Sequence, residues 1–98
     1  MIKQIHGGNK MDQIKERIVK TLIEASEGAL DKGTIMEVKD DISALSLNSL
    51  TIIRWLVSME EEFNIELDME KVLLENKLIW SFEKITKYIN TKVNGEAV

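Results

Sequence analysis

Residues 49–63 constrain the fold of this chain more than any other segment, because their apolar side chains recur at the spacing of an α-helix. Five of these side chains would share one face of that helix: Ile52, Trp55, Leu56, Met59 and Phe63. Asn48 stands directly before the segment, and its side-chain oxygen can accept a hydrogen bond from an unpaired N–H of the first turn. We therefore expect an amphipathic helix that begins at Ser49 and buries one face against other helices.

The remainder of the sequence predicts further helices around this one. A first helix is expected over residues 12–27, which carry an apolar stripe: Ile14, Ile18, Leu22 and Ala25. Asp68 and Ser81 are candidate N-caps for a brief helix over residues 69–75 and for a last helix. With 98 residues, of which 44% are apolar, the chain fits one small domain with a modest core. The absence of Cys excludes a disulfide framework and a thiolate metal site.

The connection from residue 29 to residue 47 is long, yet it is not polar throughout. Aliphatic side chains recur along it: Leu30, Ile35, Met36, Val38, Ile42, Leu45 and Leu47. Such a loop should pack against the helices as an ordered segment. We expect residues 11–91 to form the folded domain, residues 1–10 to form a flexible tail, and residues 92–98 to be a frayed C-terminus.

Ser49 combines solvent exposure with the position of a helix start. It falls outside the apolar stripe and should face the solvent. Unpaired N–H groups of the first turn and the positive end of the helix dipole lie beside it, so a phosphate on its hydroxyl would be in a favourable field. Taken alone, however, Asn-Ser before a helix is usually no more than an N-cap.

The longer pattern resembles the second helix of acyl and peptidyl carrier proteins. In that family Asp-Ser-Leu precedes an amphipathic helix that ends in Leu-Glu-Glu-Glu-Phe. Here Asn-Ser-Leu at residues 48–50 precedes a helix that ends in Met-Glu-Glu-Glu-Phe at residues 59–63. The resemblance covers residues 12–90 and implies an all-α, carrier-protein-like four-helix bundle, with three main helices, one short helix and a long ordered loop between the first two. It also implies that Ser49 carries 4′-phosphopantetheine, which a phosphopantetheinyl transferase takes from coenzyme A.

The side chains of this sequence offer no evident catalytic set. There is no Cys nucleophile, and the sole His, His6, stands in the N-terminal tail, where an isolated His is usually inert. Glu66, Asp68 and Glu70 lack the glycine and the spacing of a calcium loop, so we expect no metal site. We therefore expect a protein that is not an enzyme and has no catalytic residues. By the resemblance, the reactive group would be the thiol of the added arm, which holds a cargo as a thioester.

A second set of apolar side chains on the same helix predicts a docking surface. Leu50, Ile53 and Val57 lie off the core stripe and should be exposed. The alternative is that they pack partly on the loop of residues 29–47, above all Leu50. Residues 58–75 carry seven acids against one Lys71, which suits a basic partner but is also common as plain solvated surface. The expected partner-binding residues are Asn48, Leu50, Ile53, Arg54, Val57, Glu60 and Glu61.

The resemblance also implies which partners such a surface would meet. They are the phosphopantetheinyl transferase, an acyl- or aminoacyl-loading enzyme, and downstream synthase enzymes. The acidic face argues against nucleic acid, whose phosphates it would repel. No apolar run is long enough to span a bilayer, and the N-terminus lacks the apolar middle region of a signal peptide. We expect a cytoplasmic monomer that contacts no membrane.

Three differences from the family pattern bear on the pathway. Asn48 replaces the usual Asp, and Thr51 and Arg54 stand where fatty-acid carriers usually have acids. A less negative surface favours a stand-alone carrier for polyketide, non-ribosomal peptide or related specialised biosynthesis over a housekeeping carrier of fatty-acid synthesis. A buried Trp55 would also limit the space for an acyl chain. The alternative from another class is an unmodified helical adaptor that binds partners through the acidic second helix.

Overall fold

The computed structural model of the chain describes residues 10–75 and 77–94, with side chains from residue 12 onward. The α-helices of these ranges are α1 (Lys10–Ala25), α2 (Lys32–Glu37), α3 (Ser49–Phe63) and α4 (Phe82–Asn94). Shorter helical turns connect them: a 3₁₀ turn at Ile42–Leu45, a π-helical turn at Lys71–Glu75 and a 3₁₀ turn at Leu78–Trp80. The described ranges contain no β-strand, only an isolated bridge between Asp41 and Ser81. The predicted all-α bundle is confirmed.

The core lies between three helices, because α1 packs against both α3 and α4. It is built from side chains that are almost completely buried: Ile18, Leu22, Trp55, Leu56, Met59, Phe82, Ile85 and Ile89. The predicted stripe of α3 is confirmed, with Phe63 buried at its C-terminal end and Ile52 half-buried near its start. Removing such side chains from water stabilises the bundle by roughly 1.5–3 kcal/mol for each large aliphatic group.

Trp55 joins all three helices of the core. Its indole N–H donates to Thr21 Oγ1 at 3.1 Å and approaches the Ile18 carbonyl oxygen at 3.3 Å, both on α1. Its ring meets the ring of Phe82 edge-on, with centroids 6.2 Å apart. The Thr21 hydroxyl in turn donates to Ile18 O at 2.6 Å. The polar atom of this large buried side chain is therefore satisfied, as burial requires, and Trp55 is confirmed as a core residue.

The connection between α1 and α3 is more structured than the sequence indicated. It contains α2, whose N-cap is Asp31: the Asp31 carboxylate accepts from Thr34 N at 2.8 Å. Ile35 of α2 and Ile42 of the following 3₁₀ turn are buried in the core. The expectation of a packed, ordered segment is confirmed, but the expectation of a loop throughout is corrected. A six-residue helix is too short to produce a readable helical period.

The ends of the outer helices differ from the predicted bounds by a few residues. α1 begins at Lys10 and ends at Ala25, where Gly28 N donates to Ile23 O at 3.2 Å in a left-handed C-terminal turn. α4 continues to Asn94, so residues 92–94 of the segment predicted to fray are helical. The rest of that segment and residues 1–9 of the predicted tail lie outside the described residues. The division of the chain into tail, domain and frayed end stays a prediction.

Two predicted N-caps, Asp68 and Ser81, are confirmed, and the first turn of α4 has a second acceptor besides Ser81. Asp68 Oδ1 accepts from Lys71 N at 3.1 Å, although the turn that follows is π-helical rather than α-helical. Ser81 Oγ accepts from Lys84 N at 3.2 Å at the start of α4. Asp40, in the connection before α3, also accepts from Glu83 N at 2.7 Å. The connection is thereby tied to the first turn of α4.

Candidate functional site

Ser49 is the first residue of α3, and Asn48 is its N-cap as predicted. The Asn48 backbone is extended, and Asn48 Oδ1 accepts from Thr51 N at 2.8 Å. The Ser49 side chain is exposed, and its hydroxyl makes no hydrogen bond to any residue that the structure describes. The hydroxyl is therefore presented to solvent at the end of a fifteen-residue helix.

Beside this hydroxyl, the first turn of α3 has backbone N–H groups without an acceptor among the described residues. Asn48 takes up the N–H of Thr51 with its side chain and the N–H of Ile52 with its carbonyl, at 2.8 and 3.0 Å. The N–H groups of Ser49 and Leu50 have no acceptor among the described residues. No acidic side chain lies in the first turn. Two free donors and the positive end of the helix dipole therefore fit a phosphodiester on Ser49 Oγ.

The segment that precedes Ser49 packs against the core. Ile42 is fully buried, and Leu45 and Leu47 are half-buried against the core. Ser46 adopts a left-handed backbone conformation and closes the 3₁₀ turn with a hydrogen bond from its N–H to Ser43 O. These contacts anchor the 3₁₀ turn and the residues that follow it. Ser49 is thus displayed from a packed segment rather than from a free loop.

The second apolar set of α3 lies in solvent. Leu50 is 56% exposed, Ile53 55% and Val57 43%, and their spacing places them along one side of the helix. None of the three is among the side chains packed against the core, and partial packing of Leu50 on the preceding loop stays a prediction. We call these three residues the α3 strip. Apolar side chains aligned beside an exposed site are a feature of docking surfaces.

The two glutamates predicted to bind partners have different environments. Glu61 is exposed and makes no ion pair or hydrogen bond with a described residue. Glu60 is half-buried, and its Oε2 accepts from Leu67 N at 2.9 Å, which fixes the chain after α3. Glu60 therefore has a role inside the fold that sequence reasoning missed.

Other charges around α3 are engaged with α1 and its C-terminal turn. Arg17 Nε lies 2.8 Å from Glu62 Oε2, and its guanidinium stands 4.4 Å from the ring centroid of Phe63. Arg54 pairs with Glu27 at 3.2 Å, with both side chains well exposed. Arg54 thus remains at the surface near the α3 strip, as predicted. Neither pair had a local signal in the sequence, because the partners are distant in the chain.

Comparison with known families decides what this site belongs to. The family model described as the phosphopantetheine attachment site matches residues 17–79, more than half of the chain, and the match includes all of α3. The chain belongs to this family. Searches among curated proteins and among solved structures returned no match. Since the family attaches 4′-phosphopantetheine, the chain is a phosphopantetheine-carrying carrier protein.

Two further properties of this carrier protein concern metals and membranes. Within residues 10–75 and 77–94, no three His, Cys, Asp or Glu side chains are grouped so that they could hold a metal ion. None of the helices in that part of the carrier protein is long and apolar enough to cross a membrane.

Proposed function

We propose that Ser49 carries the 4′-phosphopantetheine arm. The observation that supports this most is the free, exposed Ser49 hydroxyl at the start of α3, beside two unpaired backbone N–H groups and inside the matched family segment. In the transfer, Ser49 Oγ forms a bond to the phosphorus nearest the pantetheine, and the pyrophosphate bond of coenzyme A breaks. The adenosine bisphosphate leaves, and the Ser49 proton passes to a base of the transferase, because no described side chain hydrogen-bonds to Ser49.

Once attached, the arm supplies a thiol that holds an acyl, aminoacyl or peptidyl cargo as a thioester. The protein keeps one end of the arm on a rigid helix and offers the α3 strip and Glu61 to the enzymes that act on the cargo. Tethering raises the effective concentration of the cargo at a docked active site without new contacts. A phosphopantetheinyl transferase, a loading enzyme and synthase enzymes are the proposed partners.

We propose a short or polar cargo, or an aminoacyl group, of a specialised pathway. The core beside α3 is filled by Trp55, which is completely buried and hydrogen-bonded to α1. A long alkyl chain that stayed outside this core would forgo about 0.8 kcal/mol of burial for each CH₂ group. The cationic Arg54 near the α3 strip also favours a dedicated partner surface that differs from the basic surface of a fatty-acid synthase.

Transfer from coenzyme A tests the proposal. The whole chain is incubated with coenzyme A and a promiscuous phosphopantetheinyl transferase, and intact mass is measured. We expect one phosphopantetheinyl mass on the wild type and on Ser46→Ala, a nearby exposed serine, and none on Ser49→Ala. Circular dichroism should be the same for all three proteins, because the Ser49 hydroxyl makes no contact in the core.

Two results would contradict this assignment and favour the adaptor hypothesis. One is a wild type that stays unmodified with several such transferases. The other is a Ser49→Ala protein that still gains the phosphopantetheinyl mass.

A further inference from the structure

A groove lined by lysines lies between α4 and the segment that precedes it. Its volume is about 430 Å³. Its cationic side chains come from the π-helical turn and from α4: Lys71, Lys84, Lys87 and Lys92. Leu78 and the ring of Tyr88, both half-buried, contribute apolar surface. We call this feature the α4 groove.

The four lysines of the α4 groove form no ion pair among the described residues, although the charge of Lys84 acts on the Asp40 carboxylate. The ion pairs of the described residues are Arg17–Glu62 and Arg54–Glu27, so none of the four lysines has a carboxylate within 4.0 Å. Lys92 Nζ instead stands 5.7 Å from the ring centroid of Tyr88. The one acid of the groove is Asp68, whose Oδ1 accepts from Lys71 N while its own N–H donates to the Tyr88 hydroxyl.

This charge is opposite in sign to the rest of the protein. The chain has a formal net charge of −4, and its acids are concentrated in residues 58–75. On α4, Lys84, Lys87 and Thr91 are spaced so that they lie along one face of the helix, away from the buried side chains of the core. A cluster of unpaired cations on an acidic protein raises the local concentration of anionic groups.

We propose that the α4 groove binds an acidic peptide segment of a partner protein. The lysines would pair with the carboxylates of the peptide. Leu78 and the Tyr88 ring would contact an apolar side chain that lies between those carboxylates. A concave groove suits a peptide segment better than the flat surface of a bilayer. The net negative charge of the chain disfavours a long polyanion such as RNA, which would extend beyond the groove over the other acids of residues 58–75.

The α4 groove is separate from the site at Ser49. It lies on α4 and the preceding turns, whereas the α3 strip lies on α3, and α1 packs against both helices. The α3 strip is apolar, whereas the α4 groove is lined by four lysines. A partner that holds the α4 groove therefore leaves Ser49 and the α3 strip accessible, and this interaction does not depend on modification of Ser49.

Titration of the ¹⁵N-labelled full chain with two synthetic peptides tests the proposal. One is a blocked fourteen-residue peptide of alternating Glu and Leu pairs, and the other has Gln in place of every Glu. We expect the Glu peptide to shift backbone signals at residues 71, 78 and 84–92, with binding that weakens as salt is added. The Gln peptide should bind at least tenfold more weakly.

Matched variants separate the groove from the total charge of the protein. Lys84→Gln with Lys87→Gln should weaken binding of the Glu peptide at least fivefold. Lys20→Gln with Lys32→Gln, which removes the same charge at exposed positions elsewhere, should leave it within twofold. All four are surface positions, so the fold should be retained.

Three outcomes would overturn the proposal. They are equal binding of the two peptides, equal loss of binding in the two double variants, and signal shifts confined to α1 or α3. Tighter, lysine-dependent binding of phosphatidylserine vesicles or of single-stranded RNA than of the Glu peptide would also overturn it and would assign the groove to that ligand.

Discussion

The carboxylate of Asp40 accepts a hydrogen bond of 2.5 Å from the hydroxyl of Ser81, although the two residues are forty-one positions apart. Asp40 also accepts from Glu83 N at 2.7 Å, so it acts as a second N-cap for α4. Partial burial alone would raise the pKa of this carboxyl. The hydrogen bonds from Ser81 and Glu83 and the nearby charges of Lys15 and Lys84 outweigh burial and lower the pKa of Asp40 below its usual value.

Removing the Asp40 carboxylate should destabilise the protein in a pH-dependent way. We expect Asp40→Ala to lower the free energy of unfolding by about 1 kcal/mol, as for other lost N-caps, and Asp40→Asn to lower it less, because its amide oxygen still accepts. Since the pKa is depressed in the folded state, the stabilisation is present above the unfolded pKa of about 3.9 and is lost as pH falls through the folded value.

Denaturant unfolding of the wild type and Asp40→Asn over a range of pH measures this contribution. The difference in free energy of unfolding should be constant near neutral pH and should shrink below about pH 4. A difference that stays the same at every pH would show that the Asp40 charge does not stabilise the start of α4.

Truncation of two apolar side chains of α3 should affect different properties of the protein, stability for one and loading for the other. Phe63 is buried beneath the Arg17 guanidinium, so Phe63→Ala should cost about 3–5 kcal/mol of stability. Leu50 is mostly exposed, so Leu50→Ala should change stability by less than about 0.5 kcal/mol but should slow loading by partner enzymes. Chemical denaturation and a loading assay measure the two effects. A near-neutral Phe63→Ala would mean that this end of α3 contributes little to the core.

Charge reversal at the two neighbouring glutamates should separate docking from stability. Glu61→Lys should slow association with the loading enzyme, mainly through the on-rate, and added salt should reduce the effect. Its stability should be close to that of the wild type, because Glu61 is exposed and unpaired among the described residues. Glu60→Lys should lose about 1 kcal/mol of stability, because Leu67 N loses its acceptor.

Stopped-flow association at two salt concentrations, together with denaturant unfolding, tests this pair. If Glu61→Lys is loaded as fast as the wild type at low salt, the acid at position 61 serves solubility and not docking.

The filled core should exclude an acyl chain. The indole N–H signal of Trp55 reports on the space between α1 and α3, since it donates to Thr21. We expect this signal to be unchanged in ¹H–¹⁵N spectra when Ser49 carries either an octanoyl or an aminoacyl thioester in place of the free thiol. Movement of the Trp55 signal with the octanoyl form alone would show that the alkyl chain enters the core, and it would favour a fatty-acid role.

The sequence by itself determined α3 and what α3 displays. Asn48 as the cap, Ser49 as an exposed first residue, the buried Trp55 and the exposed Leu50 all follow from the capping residue and from the spacing of apolar side chains along one helix. Capping and helical periodicity are local properties, so they can be read without knowledge of the fold. For the same reason Asp68 and Ser81 could be recognised as caps.

Only the tertiary structure decided which groups in distant segments the charged side chains pair with. Asp40 accepts from Ser81, the cap residue forty-one positions later, Glu62 pairs with Arg17 across forty-five, and Glu60 accepts from Leu67 N after the turn that ends α3. Each pairing forms because tertiary packing brings a carboxylate within about 3 Å of a backbone N–H, a hydroxyl or a guanidinium group. This proximity cannot be read from the spacing of the residues in the sequence. The four lysines of the α4 groove converge for the same reason. Lys71 joins the lysines of α4 because the π-helical turn packs against the 3₁₀ turn at Leu78–Trp80, which packs against α4.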